Sequence, residues 1–431
     1  MSAAYVGMVE DGAPFGLLGR RLSHSFSPKI HRTLGSSPYV LFEREPDEVT
    51  SFIREGSWRG INVTIPYKMD AAKLADEVSS RVEVLGAANT LVRRADGTIF
   101  ADNTDILGFS WMLERFCRRI LDMDAADALA GKKALVLGSG GASQAVQASL
   151  RQVGAHVVVI SRSGEDNYEN LTAKHADAFL LVNTTPVGMY PKCPATPVSE
   201  EDLKKLKGLA GILDVVYNPE RTGIVLAAER LGIPAESGLA MLVAQALFSS
   251  ELFQDKELDR ELIVDVEDII LRSTRNIIFI GMPACGKTGA GRRLARMCGR
   301  PFVDLDDCFV VDHGMTPSEC ITSQGEAAFR ALETKTAASH CARTGLVVAC
   351  GGGIVTQPQN YDLLHQNGTI IMLDRPLDEL VTDDRPLSAS KGVERLAKER
   401  MSLYRSWADI VLPCTGSAAG DALAIKNLLR L

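Results

Sequence analysis

Residues 276–288 read Asn-Ile-Ile-Phe-Ile-Gly-Met-Pro-Ala-Cys-Gly-Lys-Thr, an apolar run of residues 277–280 entering Gly281-x-x-x-x-Gly286-Lys287-Thr288. A strand, a glycine loop and a helix in that order turn backbone N–H groups inward onto phosphate oxygens. Lys287 adds charge at the β- and γ-phosphates, and the Thr288 hydroxyl can hold Mg²⁺. Downstream come Asp304-x-Asp306, a strand end whose two carboxylates fall on one side, one for the metal shell and one for a hydroxyl proton. Arg330 opens a helix where it can clamp an anion, and Arg400 lies on a late helix. Gly351-Gly352-Gly353 ends a buried strand and permits close backbone approach to a small ligand, and Arg385 heads a candidate phosphate-covering lid. This is phosphoryl-transfer chemistry.

A second set of chemistry-bearing residues precedes it. Ser25 and Ser27 stand just before a helix, where hydroxyls beside free N–H groups can hold a carboxylate or simply cap the helix. Asn62-Val63-Thr64 ends a strand and is followed by Pro66 and Lys68; Asn89-Thr90 precedes another strand; Asp102-Asn103-Thr104-Asp105 follows. Polar clusters at strand ends are where α/β folds place ligands, and a lysine beside a carboxylate can exchange a proton with a substrate oxygen. Residues 132–142 then read as strand, turn and helix, with Gly138-x-Gly140-Gly141-Ala142 as a pyrophosphate turn. The next strand ends in Ser161-Arg162-Ser163. An NAD site places an acid there for the ribose hydroxyl; a cation suits the 2′-phosphate of NADP.

The elements that must position these groups imply two proteins in one chain. A phosphate loop usually opens its domain, yet 275 residues precede this one in a chain of 431. That length predicts two or three cores, and 46% hydrophobic with 23% charged residues is ordinary soluble composition. A net charge of −7 without a polybasic run argues against nucleic acid as a partner. No apolar stretch is long enough to span a membrane, and residues 1–12 lack the pattern of a secretory leader. Nine scattered cysteines without a C-x-x-C pair suit reduced thiols, hence the cytoplasm. Residues 251–275 carry eight acids and four bases on an apolar helical period and read as a terminal helix plus connector. The expected class is α/β throughout: a substrate domain over 1–110 completed by helices around 235–270, a Rossmann NADP domain over 111–250, the connector over 251–275, and a P-loop domain with a parallel sheet over 276–431.

These motifs carry a resemblance to two families. The first part resembles shikimate dehydrogenase through the runs above and through Asn183-Thr184-Thr185-Pro186-x-Gly188-Met189, Asp214-x-x-Tyr217-Asn218-Pro219 and Gly238-x-x-Met241-Leu242-x-x-Gln245. That resemblance implies Lys68 and Asp105 as the catalytic pair, with Ser25, Ser27, Thr64, Asn89, Tyr217 and Gln245 holding substrate. NADP(H) falls to Gly138, Gly140, Gly141, Ala142, Ser161, Arg162, Ser163 and Gly238. The second part resembles shikimate kinase. Here Gly281, Gly286, Lys287, Thr288 and Arg385 would serve ATP, and Thr288 with Asp304 would serve Mg²⁺. Asp306, Arg330, Gly352, Gly353 and Arg400 would hold shikimate, with Asp306 and Lys287 catalytic. Two departures stand out: only 18 residues (163–180) separate the Rossmann strand end from the next apolar run, and only ten (375–384) precede Arg385. The implied substrates are 3-dehydroshikimate and shikimate, with a monomer or homodimer left open. A NAD-dependent quinate/shikimate dehydrogenase fused to a kinase is the alternative that Arg162 argues against. A regulatory fusion with one inactive half is the alternative that the complete residue sets argue against.

Overall fold

The computed structural model describes residues 14–22, 25–380 and 392–431. By packing, the chain divides into two units. The first holds residues up to Pro186 with Pro197–Tyr217 and Ala227–Ile270; the second holds Val187–Thr196, Asn218–Leu226 and Leu271–Leu431.

The first unit contains two sheets. β1 (Phe15–Gly19), β2 (Tyr39–Glu43), β3 (Gly60–Val63), β4 (Glu77–Val78), β5 (Thr90–Arg93) and β6 (Ile99–Asp102) form a six-stranded sheet ordered β2-β1-β3-β5-β6-β4. β5 alone runs against its neighbours. Leu18, Phe42, Ile53, Ile61, Val63 and Leu91 fill its core. The second sheet is β7 (Lys133–Leu137), β8 (His156–Ile160), β9 (Leu180–Asn183), β10 (Gly211–Asp214) and β11 (Ala235–Glu236), all parallel in the order β11-β10-β9-β7-β8. Its inner strands are continuous apolar runs because a parallel sheet is covered on both faces. Between β8 and β9 stands only a one-turn helix, Leu171–Lys174, so the short segment predicted at 163–180 adds no strand before β9 and β8 is the sheet edge.

Two long helices tie these sheets together. In Thr104–Leu121 the buried residues Ile106, Phe109, Met112, Leu113 and Phe116 recur at helical spacing, and this face packs along Leu239–Gln254. The acidic stretch 251–275 is the end of that second helix and a further helix, Glu261–Thr274. The latter buries Ile263, Val266 and Ile270, and its Glu267 accepts from Arg115, which also pairs with Glu236.

The second unit has a parallel sheet of β12 (Asn276–Ile280), β13 (Phe302–Asp304), β14 (Val347–Ala349), β15 (Gly368–Asp374) and β16 (Ile410–Pro413), ordered β13-β14-β12-β15-β16. β12 is central and buried along its whole length. The strand order reverses there, so the loop that follows β12 opens into the crevice where such sheets bind ligands. Segment Asn218–Leu226 is held in this unit by Arg275–Glu220 and by Arg221 donating to the carbonyl of His365 at 3.0 Å.

Candidate active sites

In the first unit, the lysine and aspartate predicted to act together do meet. β3 leads into the helix Lys68–Leu74 and β6 into Thr104–Leu121, so each residue occupies the first turn of its helix. Lys68 Nζ donates to Asp105 Oδ2 at 2.6 Å, with the side chains 21% and 14% exposed. Asn89 Nδ2 donates to the other oxygen, Oδ1, at 2.9 Å, and Asn89 Oδ1 accepts the Thr104 N–H at 2.7 Å. Asp105 is thus held from both sides, one oxygen to the ammonium and one to an amide, and its partner is aimed at the cavity.

That cavity, about 200 Å³, is lined by Ser25, Ser27, Thr64, Lys68, Asn89, Asp105, Tyr217 and Gln245, which is the whole predicted dehydrogenase set. Ser25 Oγ accepts the Ser27 N–H at 3.2 Å, the first N–H of the helix Ser27–Thr33, so this hydroxyl helps to cap the helix start as well as lining the cavity. Gln245 reaches in from Leu239–Gln254, its Oε1 3.4 Å from Asn89 Nδ2. Tyr217 follows β10; its ring lies 5.4 Å from that of Phe26, and burial pushes its phenol up. Asn62 and Met241 line the cavity as well, although the sequence reading assigned them no role. Their signal was membership of the Asn-x-Thr and Gly-x-x-Met runs. Tyr39 donates to Asn62 Oδ1 at 2.8 Å and so fixes its amide.

Ala142 and Gly238 also border this cavity, the first on the glycine-turn helix Gly141–Gln152. A Cβ on Gly238 would fall on the Val215 carbonyl, so close backbone packing is what requires glycine there. At Gly140 and Gly141 a Cβ would meet nothing within 4 Å, so bare backbone with free helix N–H groups faces open space beyond β7, a fit for pyrophosphate. Ser161, Arg162 and Ser163 directly follow β8, and Arg162 and Ser163 are exposed. Arg162 acts on Tyr168, whose phenol burial pushes up and the guanidinium draws down.

In the second unit Gly281 and Gly286 turn the phosphate loop with φ of +140° and +104°, values that an L side chain rarely adopts. Lys287 opens the helix Lys287–Cys298, and its ammonium donates to the Gly281 and Met282 carbonyls at 3.0 and 2.9 Å, inside the loop. Thr288 Oγ1 donates to Asp304 Oδ2 at 2.8 Å. Those two oxygens fit Mg²⁺, which takes one or two protein oxygens and completes its shell with water and phosphate. The strand ends at Asp304, however, and Asp306 lies in the first turn of the helix Leu305–His313. The two acids are therefore arranged not by strand alternation but by a cap, Asp304 Oδ1 accepting the Asp306 N–H at 3.1 Å.

A cavity of about 310 Å³ adjoins the loop, lined by Asp306, Arg330, Gly352, Gly353 and Arg400, all predicted, together with Pro283, Phe329, Glu333 and Thr316-Pro317-Ser318. Arg330 Nη1 donates to Glu333 Oε2 at 2.7 Å, and burial pushes the Glu333 carboxyl up against the pull of that arginine. Arg400 donates to the Gly352 carbonyl at 3.0 Å, and Tyr404 donates to the same oxygen. The Nε atoms of Arg330 and Arg400 are buried without a hydrogen-bond partner among the described residues; both side chains line the cavity and bring two positive charges to its wall. Arg385 lies outside the described residues.

A dinucleotide turn beside a lysine–aspartate pair makes the first unit an oxidoreductase of the Rossmann class, and a phosphate loop beside an arginine-walled pocket makes the second a small-molecule kinase. Comparison with known proteins is more specific. A model described as shikimate dehydrogenase substrate binding domain matches residues 17–91, and one described as shikimate kinase matches residues 283–429. Shikimate dehydrogenase (NADP(+)) of Clostridium beijerinckii is 34% identical over 269 residues, covering 58% of this chain and 94% of that protein. Among solved structures, shikimate dehydrogenase 1 from Peptoclostridium difficile aligns at TM-score 0.51 and 31% identity, covering 59% of this chain and 97% of that one. A chorismate mutase/shikimate 5-dehydrogenase fusion protein from Clostridium acetobutylicum aligns at TM-score 0.53 and 32% identity, covering 59% and 96%. The chain belongs to the shikimate dehydrogenase family and carries a shikimate kinase domain behind it.

Proposed function

We propose that the chain is a bifunctional shikimate-pathway enzyme that reduces 3-dehydroshikimate to shikimate with NADPH and then phosphorylates shikimate with ATP. The observation that supports this is the pair of cavities, the first lined by Lys68, Asp105 and every residue expected to hold the dehydrogenase substrate, the second by every residue expected to hold the kinase substrate. In the first, Ser25 and Ser27 hold the substrate carboxylate, while Thr64, Asn89, Tyr217 and Gln245 hold its ring oxygens. NADPH, bound on the Gly138–Ala142 turn, supplies the hydride for the ketone carbon. Lys68 delivers a proton to the ketone oxygen, and Asp105 orients the ammonium. In the second, Arg330 and Arg400 clamp the carboxylate, Gly352 and Gly353 let the ring approach the backbone, and Asp306 accepts the hydroxyl proton. Lys287 and the loop N–H groups stabilise charge on the phosphates, and Mg²⁺ on Thr288 and Asp304 would neutralise the triphosphate.

The domain bounds in this reading are 1–110 with the helices around 235–270 for substrate, 111–250 for NADP, 251–275 as connector and 276–431 for the kinase. The partners are small molecules, with neither nucleic acid nor membrane, in the cytoplasm, as a monomer or homodimer; among the described residues no helix is long and apolar enough to cross a membrane.

The test is to assay the purified chain with shikimate and NADP⁺, and separately with shikimate and ATP. Both reactions are expected; absence of either removes that half. Cofactor choice is set by Arg162. Its replacement by alanine should raise KM for NADPH ten- to a hundredfold, the equivalent of a charge-assisted contact of ~1.5–3 kcal/mol, and leave NADH nearly untouched. Equal effects on both cofactors would take Arg162 out of the site.

A further inference from the structure

The phosphate loop has two sides. β12 carries it, with β14 and β13 to one side and β15 and β16 to the other. The acceptor cavity belongs to the first side, because Asp306 follows β13 and Gly352 and Gly353 follow β14. Phosphoryl transfer keeps the attacking and leaving oxygens roughly in line through phosphorus. With the acceptor on the β13/β14 side, the leaving diphosphate extends over the β15/β16 side, again outside the carboxyl ends of parallel strands.

Arg375 stands there, one residue past the end of β15. Its Nε donates to the carbonyl of Cys285, the fourth loop residue after Gly281, at a long 3.3 Å. Nη1 is 3.4 Å from a Glu379 oxygen, and Nη2 is 3.8 Å from where a Cβ on Gly286 would stand. The side chain is only 19% exposed, whereas Glu379 is 52% exposed, so that ion pair is screened and weak. A half-buried guanidinium with one long hydrogen bond to the loop keeps both charge and donors for an anion at the loop's end.

We propose that Arg375 binds the phosphates of the leaving nucleotide diphosphate, acting as a nucleotide-binding residue fixed to the rigid end of β15. The proposal rests on the kinase reading above. It is tested by calorimetric titration of ADP into the full chain as wild type, Arg375→Ala and Arg375→Lys, and by the apparent shikimate affinity of each from its KM in the ATP-dependent reaction. Removing a charge-assisted contact should weaken ADP about tenfold or more in Arg375→Ala. Arg375→Lys, which keeps a point charge for phosphate, should stay within about threefold of wild type. Shikimate affinity should not change in either variant. ADP affinity within twofold of wild type in Arg375→Ala would overturn the proposal. So would a parallel loss of shikimate affinity, which marks a brace of the loop, or equal losses in both variants, which mark packing instead of charge. Wild-type chain that binds neither ADP nor shikimate at this site would overturn the kinase reading itself.

Discussion

At the scale of single residues, each reaction depends on one proton-handling pair of contacts. Lys68 Nζ stands 2.6 Å from Asp105 Oδ2, and both residues belong to the first unit. Lys68→Ala should therefore lower the dehydrogenase rate ~10²-fold or more, the usual size of an acid–base contribution, and leave phosphorylation near wild type. Asp306→Asn should do the reverse, since an amide accepts no proton from the hydroxyl. Steady-state rates of both reactions on each variant decide it: a single substitution that silences both activities in a folded chain would end the assignment of independent sites. The types of these residues were legible because lysine and aspartate at strand ends are uncommon chemistry in predictable places. Their companions were not. Asn62 is oriented by Tyr39, and such a pairing joins residues whose separation in sequence, 23 positions here, carries no signal.

At the scale of elements, the kinase pocket is shaped by how closely the turn after β14 approaches the helix Glu326–Cys341. A Cβ on Gly353 would fall inside the Arg330 guanidinium, while its φ of −102° is open to any residue. Gly353→Ala should therefore displace Arg330 and weaken shikimate binding at least tenfold, the scale of one lost charged hydrogen bond at ~1.5–3 kcal/mol. The KM for shikimate in the ATP-dependent reaction is the measurement, and a wild-type value would refute it. The helix Ser27–Thr33 carries a different consequence. Its His31 is buried, bonded through Nδ1 to Ser250 Oγ at 3.0 Å and stacked on Tyr39 at 4.1 Å. Burial lowers its pKa from 6.5 to about 3. Above pH 6.5 folded and unfolded chains are both neutral at this position; below it the unfolded chain takes a proton that the folded one refuses. Stability should fall as the pH drops from 6.5 toward 3, by up to ~1.4 kcal/mol per unit. Denaturant unfolding at pH 7.5 and 5.5 should show this extra slope in wild type and not in His31→Gln; parallel slopes would exclude the histidine.

At the scale of the whole molecule, each cavity draws its lining from one unit alone. Retaining shikimate between the two reactions would need capture to outrun escape. Enzymes turn over at about 10 s⁻¹, far slower than a small metabolite leaves an open cleft. Residues 251–275 carry eight acids and four bases, which repel the intermediate's carboxylate within the ~8–10 Å that salt allows. Shikimate should thus be released to bulk. In a reaction of 3-dehydroshikimate, NADPH and ATP with excess labelled shikimate, the label should mix fully into the phosphorylated product. Product drawn mainly from the unlabelled pool would show retention instead.

The sequence by itself determined the two chemistries, the three glycine turns and the predicted substrate-binding residues found in each cavity, because strand ends, turns and helix starts are local and their residue types repeat the demands of phosphate, carboxylate and proton transfer. It also showed that the stretch 163–180 is short. Only the tertiary structure decided what lies against what. It turned the Asp304–Asp306 pair from a strand alternation into a helix cap, made β8 a sheet edge, and brought Arg330 and Arg400 to the wall of one cavity. It also brought Arg375 from the end of β15 to the phosphate loop 90 residues earlier. Those outcomes depend on which strands pair and how closely backbones approach, and that is settled by packing across the whole core and not by any local run of residues.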